Sequence, residues 1–249
     1  MPAFRLVYRS LLLGLLVFTG ALITPLLQRG HMPRHGLAAI VTCAWHRGIA
    51  RATGIRVIVH GQARPQATLY VANHISWFDI IALGGHLPLR FLSKAEVRRW
   101  PLVGWLASRA GTLYIERGNH RATAEANRRM REALELGENV CLFPEGTTSD
   151  GQVRKFHSRL MQCAIDAGSS IQPVAIAYPP PPGETTPVHP AMLFTGSIRM
   201  GESYRRVLSA RHVEAHVYLL PAIDCTGKNR NAIARQAQQA ITRALESSR

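Results

Sequence analysis

Acidic residues are scarce in this chain: 15 Asp and Glu stand against 30 Lys and Arg in 249 residues, a formal charge of +15. Such an excess says little about fold but biases partners toward anions, whether nucleic acid, anionic lipid headgroups or phosphorylated small molecules. No block of consecutive lysines occurs; arginines such as Arg90, Arg98, Arg99, Arg109 and Arg121 recur at intervals instead, as on a solvated basic face and unlike a nucleic-acid-binding tail. Cysteine is sparse too. Cys43, Cys141, Cys163 and Cys225 form no C-x-x-C pair and lie near no suitably spaced histidine, so no metal site is expected. Cys141 and Cys163 sit in apolar runs as small core residues. Lacking a disulfide framework, the folded part is expected to face a reducing compartment. No G-x-S-x-G occurs, which removes the nucleophile elbow of a serine hydrolase, and no internal repeat suggests a solenoid.

Apolar residues make up 47% of the chain, enough to argue against disorder and for a sizeable core. Their longest run is N-terminal: Ser10 to Gln28 carries no charge and is just long enough to cross a bilayer. Basic residues flank it on both sides, Arg5 and Arg9 before and Arg29 and Arg34 after, so charge bias assigns no orientation. Three readings stay open. A cleaved signal peptide fits the basic start but lacks a small-x-small site. The others are a true span, or a helix lying in one leaflet, broken near Pro25 and followed by a second apolar helix through Leu37, Ile40, Val41 and Trp45. On the last two readings, residues 1–53 are expected to anchor the chain to a membrane, and 54–249 to form the folded domain.

After Gly54 the period changes. Ile55 to His60 alternates as a strand, and Ala67–Ala72, Arg90–Leu92, Thr112–Ile115, Asn139–Phe143, Ile171–Tyr178 and Val213–Leu219 read as further strands. Helices are expected over Ser76–Leu83, Pro101–Arg109, Ala122–Leu136, Ser158–Ala167 and Ala232–Leu245. Strands alternating with helices predict an α/β domain with a single mixed, largely parallel sheet.

Chemistry concentrates at strand ends, where ligands gather in open α/β sheets. His74 directly follows a hydrophobic strand, with Asp79 five residues on. A neutral imidazole can take a proton from a hydroxyl near neutral pH, and works best when a carboxylate holds its other nitrogen. Ser76-x-x-Asp79 also fits a capping-box variant, which would leave His74 an ordinary loop histidine. A second stretch, Leu142-Phe143-Pro144-Glu145-Gly146-Thr147-Thr148, ends a buried strand with a carboxylate, a glycine and two hydroxyls; its turn amides can face an anion or an oxyanion. A third, Gly111 to Gly118, brings Arg117 off a strand end, and the planar guanidinium suits a phosphate. A fourth, Ile171 to Ile176, is apolar around Pro173.

Taken in order, H-x4-D, G-x-x-x-I-x-R, F-P-E-G-T and an apolar strand with an internal proline resemble the four blocks of the glycerolipid acyltransferases, typified by 1-acylglycerol-3-phosphate acyltransferase, over roughly Val57 to Ile223. The resemblance implies that His74 is the general base and Asp79 its orienting partner. It implies that Arg117 binds the acceptor phosphate, that Glu145, Gly146 and Thr147 belong to the acceptor-binding block, and that Lys94 is a further substrate-binding position. Pro173 falls in a block linked to acyl-donor binding or packing. One departure matters: phosphatidic-acid-forming members commonly carry Arg where this chain has Thr148, and F-P-E-G-T-T-S looks like a subset that includes lysophospholipid and lyso-ornithine lipid acyltransferases. The implied reaction moves a fatty acyl group from acyl-CoA or acyl carrier protein to the hydroxyl of a lysolipid, 1-acyl-sn-glycerol-3-phosphate or a relative, with lyso-ornithine lipid as the alternative acceptor. It needs no cofactor and no metal. Membrane lipid is an expected partner and nucleic acid is not; the expected location is the cytoplasmic face of the inner (plasma) membrane. The competing reading is a basic membrane-binding protein without catalysis, which explains the charge but not the order of the blocks.

Overall fold

The computed structural model describes residues 2–27, 30–116, 118–196 and 198–248. In chain order its elements are α1 (Pro2–Leu27), α2 (Leu37–Thr53), β1 (Ile55–Gly61), β2 (Thr68–Ala72), α3 (Phe78–Gly84), β3 (Arg90–Lys94), α4 (Val103–Arg109), β4 (Leu113–Ile115), α5 (His120–Glu135), β5 (Val140–Leu142), α6 (Gln162–Asp166), β6 (Ser170–Ala177), α7 (Met200–Ser209), β7 (Val213–Leu219) and α8 (Arg230–Ser247). Seven strands form one sheet in the order β1-β7-β6-β2-β5-β3-β4. Every pairing is parallel except β6 with β7, so the sheet is mixed and mostly parallel, as the alternation of elements predicts. Because β2 to β6 all run the same way, their C-terminal ends share one edge.

Two apolar layers cover the sheet. In β2 every residue is buried, yet the period of two survives: Tyr70 and Ala72 face a layer built with α1, α2, α3 and α7, while Leu69 and Val71 face one built with α5, α6 and α8. Local signals set the helix limits. Asn119 accepts N–H bonds from Arg121 and Ala122 to cap α5, Asn229 does the same for Ala232 in α8, and Gly54 ends α2 at φ +74°. Pro173 stands inside β6, where a missing donor would normally break a ladder. Here the β6–β7 ladder stops at the Val174–Leu219 pair and resumes only as the isolated Ile171–Ile223 bridge, so the absent N–H falls in the gap.

Several expectations need correcting. The segment Ser158–Ala167 is not one helix: a 3₁₀ turn over Ser158–Met161 precedes α6. Helix α7 was not anticipated. Helix α1 runs on through Pro25 instead of breaking there. Arg90 is no solvated cation. It pairs with the buried Glu138 at 2.7 Å and donates to the Gly111 carbonyl at 2.8 Å, while the Met32 N–H donates to the same carboxylate at 2.7 Å.

The N-terminal helices pack on this frame. One face of α1 buries Leu13 and Gly20, and Trp45 of α2 donates its indole N–H to the Leu16 carbonyl at 2.7 Å. Arg9 donates to the carbonyls of Leu208 and Ala210, and Arg5 to that of Ser209, filling acceptors left open at the C-terminus of α7. Ile49, Ala50 and Ala52 of α2 belong to the same core cluster as the sheet, so residue 53 marks a packed interface and not a linker. The other face of α1 leaves Phe4, Val7, Leu11, Leu15, Phe18, Leu22 and Leu26 exposed at helical spacing. This stripe lies on a helix of 26 residues that is, by length and composition, long and apolar enough to cross a bilayer, which makes it the candidate membrane-facing surface.

Candidate active site

The edge shared by the parallel strands collects the candidate residues. Asn73 comes first after β2 and is buried. Its side chain takes over the β2–β6 ladder, donating to the Ile176 carbonyl at 2.9 Å and accepting from the Ile176 N–H at 2.7 Å. That bond fixes the backbone at the next residue, His74.

The His74 ring is held on three sides. Nδ1 lies 2.7 Å from Asp79 Oδ2, the ring stacks on Phe143 with centroids 4.0 Å apart and planes 15° apart, and the backbone is pinned by two further bonds. The His74 N–H donates to Glu145 Oε1 at 3.0 Å, and its carbonyl accepts from the Ser149 N–H at 2.7 Å. The side chain keeps 19% exposure, whereas that of Asp79 has none. With the carboxylate holding Nδ1–H, the tautomer leaves Nε2 bare and able to accept a proton.

Asp79 does more than orient the ring. Oδ2 also accepts the N–H groups of Ile75 and Ser76 at 2.8 and 3.0 Å, and the Ser76 hydroxyl accepts the Phe78 N–H at 3.4 Å. Only half of a capping box is present: the Asp79 carboxylate accepts the Ser76 N–H, but the Ser76 hydroxyl does not accept the Asp79 N–H, which bonds to the Ser76 carbonyl instead. The same carboxylate thus bonds both the turn that leads into α3 and the His74 ring. Oδ1 is taken by the phenol of Tyr178, 2.5 Å away and buried. Burial, with the Asp79 charge beside it, holds the Tyr178 pKa well above its ordinary value, so the phenol stays a donor. Tyr178 was missed from sequence, although it follows β6 directly, the kind of position that singled out His74.

Glu145 is turned inward. Oε1 receives the His74 N–H and Oε2 the Arg154 N–H at 3.1 Å, so the carboxylate clamps two loops together instead of opening to a ligand. Burial pushes its carboxyl up to about 7, against the opposing pull of those two N–H bonds. Gly146 closes the turn by donating to the Phe143 carbonyl at 3.1 Å and adopts φ +74°, where a side chain would be strained. Thr147 is exposed beside it, and the Thr148 hydroxyl donates into the loop, to the Phe194 carbonyl. Lys94 ends β3, exposed and in register with Ile115 of β4. Arg117, two residues beyond Ile115, lies outside the described residues. The structure thus brings His74, Asp79 and Glu145 together in one bonded unit and places Gly146, Thr147 and Lys94 along the same edge. Among the described residues no cluster of three or more His, Cys, Asp or Glu is arranged to hold a metal ion.

The arrangement is a hydrogen-bonded imidazole–carboxylate pair at the C-terminal edge of a mixed sheet, beside a glycine turn, with one ring nitrogen left open. Residues 56–177 match the family model described as Acyltransferase. The chain is 43% identical over 229 residues to the lyso-ornithine lipid O-acyltransferase of Pseudomonas aeruginosa, covering 91% of this chain and 82% of that protein. It is 38% identical over 143 residues to the 1-acyl-sn-glycerol-3-phosphate acyltransferase of Neisseria meningitidis, covering 56% of each. The crystal structure of PlsC, the 1-acyl-sn-glycerophosphate acyltransferase of Thermotoga maritima, superposes with a TM-score of 0.74 over 98% of this chain and 95% of that one; at 20% identity the likeness is one of fold. The chain belongs to the acyltransferase family and is an acyltransferase.

Proposed function

We propose that the chain moves a fatty acyl group from a thioester, acyl-CoA or acyl carrier protein, to the free hydroxyl of a lysolipid at the cytoplasmic face of the inner membrane, with His74 as general base. The observation that carries this reading is the 2.7 Å bond from His74 Nδ1 to a fully buried Asp79, which leaves Nε2 as the open nitrogen. In the reaction, Nε2 takes the hydroxyl proton as the acceptor oxygen attacks the thioester carbonyl. The C–S bond then breaks, and the proton held on the imidazolium is available to the departing thiolate. A hydroxyl and a thioester thus become an ester and a thiol, with no acyl-enzyme. Exposed Lys94 and Thr147, the Gly146 turn and Arg117 are the proposed acceptor-binding positions; Glu145 acts as the clamp behind them.

Two acceptors are supported. Lyso-ornithine lipid is favoured by the name of a relative that aligns along nearly the whole chain, and by Thr148 where phosphatidic-acid-forming sequences carry arginine. 1-Acyl-sn-glycerol-3-phosphate is favoured by the names of the neisserial relatives. The deciding experiment gives the purified protein labelled acyl-CoA and acyl carrier protein against lysophosphatidic acid, other lysophospholipids and lyso-ornithine lipid, with His74→Ala as control. A labelled product that is absent with His74→Ala supports the reading, and its preferred acceptor assigns the headgroup. Equal product with His74→Ala, or no product with any acceptor, refutes it.

A further inference from the structure

Among the described residues, the segment from the end of β3 into α4 is the one place apart from α1 and the start of α2 where several large apolar side chains stand together in solvent. Trp100 is 43% exposed, Leu102 45%, Val103 50% and Trp105 38%. The segment is tightly built. Trp100 N–H bonds to Val97 O, Gly104 N–H to Trp100 O, and Val103 N–H to Pro101 O at 2.6 Å, which makes a γ-turn centred on Leu102. Leu102 has φ +59°, the only positive φ at a non-glycine among the described residues. The turn holds this branched side chain, 45% exposed, in a conformation that L residues rarely adopt. Gly104 is needed for the same turn, since a Cβ there would lie 2.4 Å from the Arg98 carbonyl oxygen.

Charge surrounds the apolar tip. Arg98, Arg99 and Arg109 are exposed and make no ion pair among the described residues, Arg109 lies 5.7 Å from the Trp105 ring, and Glu96 is the only acid between Lys94 and Arg109. Tryptophan, leucine and valine ringed by arginine form the composition that sits at an anionic lipid interface. The patch lies next to the helix that carries the exposed apolar stripe, because α4 packs against α1. It also follows the C-terminal end of β3, on the edge of the sheet that carries His74.

We propose that Trp100–Trp105 is a second membrane-insertion element, a wedge that enters the headgroup layer of an anionic bilayer beside the active-site edge and brings the site to the plane in which a lipid acceptor lies. The proposal rests on the chain working at a membrane. The test therefore reads the wedge separately from membrane association itself.

All four native cysteines are buried, so an introduced surface cysteine can be labelled selectively. An environment-sensitive fluorophore is placed in the full chain at Leu102→Cys, at Phe18→Cys on the exposed face of α1, or at Gln239→Cys on the exposed side of α8. With vesicles of phosphatidylglycerol and phosphatidylcholine, the labels at 102 and 18 should shift to the blue and be quenched by brominated acyl chains, and the label at 239 should do neither. A label at 102 as wet as that at 239, while the label at 18 is quenched, overturns the wedge and leaves the membrane reading standing. No shift at 18, with protein remaining in the supernatant, overturns both. A blue shift at 102 on adding acyl carrier protein without vesicles, or on raising the protein concentration, assigns the patch to a protein partner or a second copy and overturns the proposal. Replacing Arg98 and Arg99 together by Ala should weaken binding to the anionic vesicles by roughly tenfold or more, at about 1 kcal/mol for each charge near such a surface, and leave binding to pure phosphatidylcholine unchanged. Equal weakening on both vesicle types overturns the anionic assignment.

Discussion

Replacing Tyr178 by Phe removes one oxygen and tests whether the Tyr178–Asp79–His74 chain acts as a unit. The phenol donates to Asp79 Oδ1 at 2.5 Å, and the carboxylate is wholly buried, so no solvent can replace the lost bond. A hydrogen bond to a charged group is worth about 1.5–3 kcal/mol, and about 1.36 kcal/mol corresponds to one pKa unit. With the Ile75 and Ser76 N–H bonds to Asp79 still in place, only part of that loss is expected to reach His74, so the direction of the change is what the assay reads. The sign follows from charge. Without the phenol, Asp79 carries less-compensated negative charge and holds the proton of the pair more tightly, so the acid limb of kcat/KM moves to higher pH. The assay is thiol release from an acyl thioester with a short-chain soluble acceptor from pH 5 to 9, alongside thermal melts. Leaving Asp79 Oδ1 unpaired should also cost about 1–3 kcal/mol of stability, roughly 2–4 °C of Tm per kcal/mol for a chain of this size. A variant that loses Tm and rate but keeps the wild-type pH profile would show that Tyr178 only packs, and an acid limb moving to lower pH would refute the electrostatic reasoning.

Asp79→Asn should lower kcat by ~10²–10⁴-fold and also lower Tm, because the same carboxylate orients His74 and caps α3; a variant that loses Tm alone would leave the cap as its only role. Arg117→Ala should raise the acceptor KM far more than the donor KM, and Lys should restore only part of the function because an ammonium lacks the planar fork; equal effects on both substrates would exclude a headgroup role. Glu145→Gln should show a pH-dependent stability difference. A carboxyl raised to about 7 gives the folded wild type a proton that the unfolded chain, at its ordinary 4.5, has lost. That contribution is full below about 4.5 and is lost as pH rises through about 7, so Tm of the wild type minus that of the variant should fall between pH 5 and pH 8, and a constant difference in melts would refute the buried-carboxyl account. Deleting residues 2–27 should release the protein from vesicles in sedimentation while circular dichroism keeps the sheet, at a lower Tm because Leu13 and the Arg9 bonds are lost; collapse of the sheet signal in detergent would make α1 part of the obligatory core.

Most strands were legible because their burial follows the pattern of apolar residues along the element. Val213 to Leu219 alternates on the page and in space, with Val213, Ala215, Val217 and Leu219 buried and Glu214, His216 and Tyr218 less so. The short strands β2 and β5 were found as apolar runs, since both of their faces are covered. Helix α7 was missed although it is amphipathic, with Ser203, Val207 and Leu208 on its buried face and Arg205 and Arg206 exposed. Helix α2 has two apolar faces. Leu37 and Ile40, read from sequence as part of a membrane-facing helix, are exposed, whereas Ala39, Cys43, His46 and Ile49 face the protein, and Gly84 of α3 approaches the His46 ring so closely that a Cβ would lie 2.9 Å from it. Hydropathy cannot tell the two fates apart, because lipid and core favour the same side chains.

The site was legible only in its chemistry-bearing half. His74, Asp79 and Glu145 are marked by residue type and spacing, whereas the groups that fix them are ordinary residues placed by topology. Asn73 matters because β6 runs beside β2 and offers Ile176 to its amide; Tyr178 matters because the same pairing sets the end of β6 over α3. Neither relation exists in a linear reading, since it spans about a hundred residues and needs the strand order. The structure also changes how Asp79 and Glu145 are read. A carboxylate that caps a helix and one that grips a backbone loop are usually treated as structural, and one that orients an imidazole as functional. In this fold the same bonds do both. The Ile75 and Ser76 N–H groups that Asp79 caps are the groups that aim its oxygen at His74, and the His74 N–H that Glu145 grips sets where the ring stands on Phe143. A substitution at either carboxylate must therefore be judged by rate and stability together, because neither alone can distinguish a lost fold from a misplaced imidazole.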